Sequence, residues 1–153
     1  KVPDGYESRD LGEMKMCLVA SPEYLQQYPE LSTPLQLKNH RCLVHSHATW
    51  QSWVLTNEKG QTRSYPIHSH LHANDVYVLL EMALRHQGIT MLPKAMVLSE
   101  LCTGRLVEVL PSYQVQPFQL AIVYVSSNHT PQMVQNFIEF LLTFFANHER
   151  VLD

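Results

Sequence analysis

The stretch from residue 74 to residue 93 restricts the fold more than any other. Val76, Leu79, Leu80, Ala83 and Leu84 keep the i, i+3, i+4 spacing of a helix with one apolar face. Asn74 stands where a cap belongs, Arg85 and His86 lie at the negative end, and Gly88 follows just past it. Ile89-Thr90-Met91-Leu92 then reads as a short buried strand closed by Pro93, which cannot donate to a ladder. A helix that feeds directly into a buried strand is an α/β unit of the parallel-sheet type.

The rest of the chain agrees with a mixed α/β order. Met14 to Ala20 reads as one buried strand, ended by Ser21-Pro22, where Ser21 caps a short helix and Pro22 occupies its first turn. Thr33-Pro34-Leu35-Gln36-Leu37 repeats that device. Cys42 to His45 is a second strand, with Ser46-His47-Ala48-Thr49 as the loop beyond it. Trp50 to Thr56 and Gln61 to His72 flank Asn57-Glu58-Lys59-Gly60, which predicts two antiparallel strands around a turn where Gly60 supplies a positive φ. Between Leu101 and Leu110 lie a turn at Thr103-Gly104 and a strand over 106–109, and Phe118 to Val125 is a long apolar strand. Thr130 caps and Pro131 opens a last helix with Val134, Phe137, Ile138, Leu141, Leu142 and Phe145 along one side. Such a stripe must pack on a sheet or remain a sticky patch.

Composition narrows the function. A length of 153 residues, 45% hydrophobic and 16% charged, suits one ordinary globular domain. Eleven basic against fourteen acidic side chains give a net charge of -3, so no positive field gathers phosphates, and the chain is not expected to hold DNA by itself. No apolar run approaches the roughly 20 residues needed to span a bilayer. The start, Lys1-Val2-Pro3-Asp4-Gly5, lacks a signal-peptide pattern and an initiator Met, so the expectation is a cytoplasmic piece of a longer protein. Cys17, Cys42 and Cys102 are odd in number and form no CxxC, which argues against disulfides or structural zinc and for three small buried hydrophobes in a reducing compartment.

Six strings in register resemble the effector-binding (substrate-binding) domain of LysR-type transcriptional regulators. They are Leu18-Val19-Ala20-Ser21-Pro22-Glu23-Tyr24-Leu25, Leu37-Lys38-Asn39-His40, Ala73-Asn74-Asp75, Gly88-Ile89-Thr90-Met91-Leu92-Pro93, the run 104–111, and the run 131–141. The hairpin around Trp53 and Gly60 is similar to the large subgroup in which a hairpin replaces a helix. The resemblance implies a type 2 periplasmic-binding-protein-like α/β fold of two lobes. On that pattern residues 1–20 end the first lobe, 21–118 form the second, and 119–153 return to the first as a strand and the C-terminal helix. It further implies a small-molecule effector between the lobes, a homodimer or homotetramer, no cofactor and no membrane contact, and DNA bound only through a helix-turn-helix that this chain lacks. A stand-alone solute-binding protein of the same fold is the alternative.

Catalysis has little support, because GxSxG, a phosphate loop and HExxH are all absent, so the chain is not expected to be an enzyme. A small anion would need a crevice at the carboxyl ends of strands, where helix N-termini and free amides converge. Three places qualify: the loop from Ser46 to Thr49, the helix start at Asn74, and Leu92-Pro93-Lys94. The resemblance places the equivalents of these loops on the second-lobe side of the cleft, which makes Ser46, His47, Thr49, Asn74 and Pro93 the candidate effector contacts. Turn and cap chemistry would explain the same residues.

His68, His70 and His72 would share one face of a strand. Neighbours on that face lie about 6.6 Å apart, too far to chelate a metal without bending, so a solvated hairpin face is expected rather than a metal site. Sensing of pH through the three imidazoles is a separate possibility that their clustering raises.

Overall fold

The computed structural model describes residues 3–47, 51–125 and 131–147. The chain divides into two compact units, Lys1–Lys15 with Pro117–Asp153, and Met16–Gln116.

The larger unit is built on a five-stranded sheet of β2 (Met16–Ala20), β3 (Arg41–His45), β6 (His68–Ala73), β7 (Ile89–Pro93) and β8 (Val107–Glu108), in the order β6-β3-β7-β2-β8. β3 runs parallel to β6 and β7, whereas β2 runs antiparallel to β7 and β8. Cys42, Leu43 and Val44 are all buried, as a strand covered on both faces requires. Helices α2 (Val76–Leu84) and α3 (Lys94–Cys102) cover one face, enclosing Cys17, Val19, Leu43, Leu79, Ala83, Leu92, Val97 and Leu106. The other face carries helix α1 (Pro22–Gln27), a 3-10 turn (Pro34–Asn39) and a small sheet of β5 (Thr62–Pro66), β4 (Ser52–Asn57) and β9 (Tyr113–Val115), in that order. Tyr24, Leu37, Trp53 and Leu55 pack there on Leu18, Ala20, Val44 and Ile89.

Local chemistry explains several of these elements. Ser21 Oγ accepts the Tyr24 N–H at 3.2 Å and Pro22 opens α1, as its sequence requires. The 3-10 turn begins after Thr33, where Gln36 Oε1 accepts the N–H groups of Ser32 and Thr33, both at 2.8 Å. Gly60 has φ 74°, and Asn57 Oδ1 accepts from the amides of Lys59 and Gln61 across the hairpin turn.

Other expectations need correction. The run from Met14 to Ala20 is two elements, because the chain passes between units at Lys15 and β1 (Tyr6–Met14) lies in the smaller one. The second hairpin strand stops at Pro66, and His68–Ala73 leaves the hairpin to become the β3-paired edge of the five-stranded sheet. Asn74 does not cap α2. Asp75 does, its Oδ1 accepting the Tyr77 N–H at 2.7 Å. The left-handed residue after α2 is His86, with φ 63°, not Gly88. Gly88 is needed for another reason: an added Cβ would overlap the Arg41 carbonyl and lie 3.2 Å from Leu43 Cδ2. Burial of Cys17 and Cys42 pushes both thiols up to about 12, but Cys102 is exposed rather than buried.

The smaller unit contains β1 and β10 (Phe118–Val125), paired antiparallel with a bulge between Asp10 and Gly12, and helix α4 (Gln132–Asn147), which packs on β1. Ile138 is buried, with Val134, Leu141, Leu142 and Phe145 half-buried beside it. Phe137 departs from the expected stripe and joins Met133, Phe140 and Phe144 on an exposed one. Thr130 and Trp50 lie outside the described residues.

Candidate functional site

Because β6, β3 and β7 are parallel, their carboxyl ends at Ala73, His45 and Pro93 fall at one end of the sheet. The β3–β6 ladder runs through Val44–His72 and His45–Ala73, and the Ser46 N–H then donates to the Ala73 carbonyl at 2.8 Å. That bond joins the loop bearing Ser46 and His47 to the one bearing Asn74. On the other side, Leu43 pairs with Thr90, so Ser46 and Pro93 each lie three residues beyond a shared rung. Ser46 and Pro93 are half-buried, while His47 and Asn74 are exposed. Four of the five residues expected at the site therefore share one end of the larger unit, and Thr49 lies outside the described residues.

Two helices start at the same end. Asp75 satisfies the first turn of α2, but the cap position of α3 is Pro93, whose side chain accepts no hydrogen bond. The N-terminal amides of α3 thus lack a side-chain cap and carry the positive end of the helix dipole, the arrangement that suits an anion. Lys94, the first residue of α3, adds a cation whose Nζ lies 3.8 Å from Glu108 Oε2. Next to Ser46, the rings of His45 and His47 stand 5.5 Å apart, and the His47 N–H donates to His45 Nδ1 at 3.3 Å.

Sequence reasoning missed Asp75 as the cap of α2 and α3 as a helix, whereas Lys94 lies in the Leu92-Pro93-Lys94 stretch already singled out. The signal for α3 was present in Pro93 as an N-terminal residue, Val97 and Leu101 at i, i+4, and Gly104 beyond. For Asp75 it was position: the cap directly precedes the first helical residue, Val76.

His68, His70 and His72 lie on the edge strand β6, exposed, but a bulge between Ser69 and Leu71 leaves His70 without a partner position on β3. His72 Nε2 and Ser69 Oγ are 2.8 Å apart. Among the described residues no group of three His, Cys, Asp or Glu side chains is placed to hold a metal ion. Among them too, no helix is long and apolar enough to cross a membrane.

Comparison with known proteins adds to this geometry. The family model for the LysR substrate binding domain matches residues 1–146. The HTH-type transcriptional activator TtdR of Escherichia coli (strain K12) is 34% identical over 143 residues, which are 92% of this chain and 46% of that protein. The full-length Vibrio cholerae virulence activator AphB, a member of the LTTR protein family, superposes with a TM-score of 0.80 at 29% identity, over 95% of this chain and 50% of that one. The regulatory domain of AphB in Vibrio vulnificus gives 0.78 at 28% identity, over 94% and 71%. The chain spans about half the length of the curated relatives it matches.

Proposed function

The chain belongs to the LysR substrate-binding-domain family, and from that premise we propose that it is the effector-sensing part of a LysR-type transcriptional regulator. It binds a small molecule between two lobes and passes the event to a DNA-binding helix-turn-helix outside this chain, in a homodimer or homotetramer. The larger unit serves as the second lobe. The smaller unit, with β10 and α4, is the closing part of the first, whose remaining residues cover the exposed stripe of α4. Binding is the whole of its activity, without a reaction. The effector acts by its difference in affinity for two arrangements of the lobes.

The carrying observation is the shared end of β6, β3 and β7, where Ser46, His47, Asn74 and Pro93 stand beside the uncapped start of α3. This end is also where the chain enters the larger unit, since Met16 pairs with Pro93. Strand ends and helix N-termini that meet in this way favour a small anion, a carboxylate in the first instance.

The test is a thermal-shift screen of small carboxylates and aromatic acids on the domain with both lobes. A ligand at 100 times its Kd should add about 2.7 kcal/mol to stability. Ser46→Ala and Asn74→Ala should each diminish the shift, and His68→Gln, at the far end of β6, should leave it intact. A hit insensitive to both alanine variants would move the site elsewhere. Conversion of a hit to product would replace the binding role with catalysis.

A further inference from the structure

Outside the candidate site, the larger unit holds one polar cluster deep in its core. His40 and Tyr24 are both fully buried, with His40 Nδ1 3.2 Å from the Tyr24 hydroxyl. That hydroxyl accepts the Arg41 N–H at 2.9 Å. Burial pushes the Tyr24 phenol up to about 12, so it keeps its proton and must donate it. With Arg41 N–H already pointing at the oxygen, the donor role falls to Tyr24 and the acceptor role to His40 Nδ1. His40 Nε2 is buried with no hydrogen-bond partner.

We propose that the Tyr24–His40 contact is an acid-sensitive latch that holds α1 on the sheet of the larger unit and opens when His40 takes up a proton. An imidazolium has two donors and no acceptor. Its Nδ1–H would become a second donor aimed at the Tyr24 oxygen, and the Tyr24 proton would lose its place. The new charge would sit in an apolar setting with Nε2–H still unpaired.

Desolvation sets the His40 pKa, with no carboxylate contributing to it. The titratable groups on the surrounding elements are Glu23 and Tyr24 on α1, Tyr28 at its C-cap and Glu30 beyond it, Lys38 on the 3-10 turn, Arg41, Cys42 and His45 on β3, Arg63 and Tyr65 on β5, and His68, His70 and His72 on β6. Of the two acids, Glu30 is exposed and Glu23 lies 3.6 Å from His86 Nδ1 at the other end of α1. The Tyr28 ring, 6.1 Å from His40, is already occupied by the Arg41 guanidinium at 5.5 Å. At six residues α1 is the shortest α-helix described in the unit, and its displacement is how water would reach the cation.

Desolvation lowers the His40 pKa from its ordinary 6.5. The contribution is therefore complete above pH 6.5 and is lost as pH falls below that value, where the unfolded chain binds a proton that the folded one refuses. The latch should make the opening constant rise by up to about tenfold per pH unit in that window.

The experiment follows amide hydrogen exchange of the 153-residue chain between pH 7.5 and pH 5.0, together with the NMR titration of its histidine Cε1 protons. In the wild type, the protection factors of the Arg41 and Tyr24 amides should fall by up to about tenfold per unit below pH 6.5. In His40→Asn, which keeps an acceptor near the Nδ1 position, they should stay level. Should that variant fail to fold, His40→Gln gives the second test: it removes the titrating imidazole and keeps a side-chain acceptor, so the pH dependence should again be gone. A His40 resonance that titrates at its ordinary value while protection stays constant would overturn the latch. So would a fall in protection that persists unchanged in the variants.

Discussion

The two units treat their apolar surface in opposite ways. In Met16–Gln116, the inner strands β3, β7 and β2 of the main sheet are covered on both faces, and two buried clusters lie on either side. In the unit of residues 1–15 and 117–153, Ile138 is the buried hydrophobic side chain among the described residues. Met133 is 80% exposed, Phe137 59% and Phe140 61%, and Phe118, Val123 and Val125 of β10 are exposed as well. A five-stranded sheet with helices on one side and a second sheet on the other closes its own core. Two strands and one helix cannot, because one helix covers one face and a two-stranded sheet gives it little area to bury.

The largest test of that contrast is paired. Leu92→Ala, in the centre of the main sheet, should cost about 2–5 kcal/mol in a urea melt, and Ile138→Ala should cost less than about 2, because the half-buried side chains around it can relax into the space left. Equal losses would mean that the units share one core. Gly88→Ala should cost about 1–3 kcal/mol, since backbone at Arg41 must move, and its loss should appear in the same transition as that of Leu92→Ala. A neutral result would show that β3 and β7 can separate without penalty. Asp75→Ala should cost about 1 kcal/mol of helix-cap stability, with Asn74→Ala near zero. The reverse ranking would return the cap to Asn74. Smallest in stability, Phe137→Ser with Phe140→Ser should change the unfolding free energy of the larger unit by less than about 0.5 kcal/mol while markedly lowering ANS binding. A large loss would show that the stripe is already buried.

Where signals are local, the chain was legible. Ser21-Pro22, Asn57 to Gly60, the apolar positions of α2 and the whole of β10 follow from residues within a turn or two of each other. What escaped depends on distant partners. β1 is polar along Tyr6-Glu7-Ser8-Arg9-Asp10 and becomes a strand through β10, more than a hundred residues away. β6 reads as a continuation of the hairpin only if Pro66 is passed over, and its parallel pairing with Arg41–His45 is what gives the residues beyond that break a separate place. Phe137 fits either side of α4 by spacing alone, and the narrow sheet decides which side is covered. For the candidate site, the strand-end rule picked out separate loops, but strand order, which makes them neighbours, is a property of the sheet and not of any segment.

The bond from the Ser46 N–H to the Ala73 carbonyl extends the β3–β6 ladder by one rung past the last paired residues. Its consequence is entropic. The first residue of one loop and the residue before the other are tied together before any ligand arrives, and ordering a free side chain or loop segment otherwise takes about 0.5–1.5 kcal/mol from the binding energy. A ligand seated there would find half of its contacts already in place, so its affinity would be decided by how the other half closes.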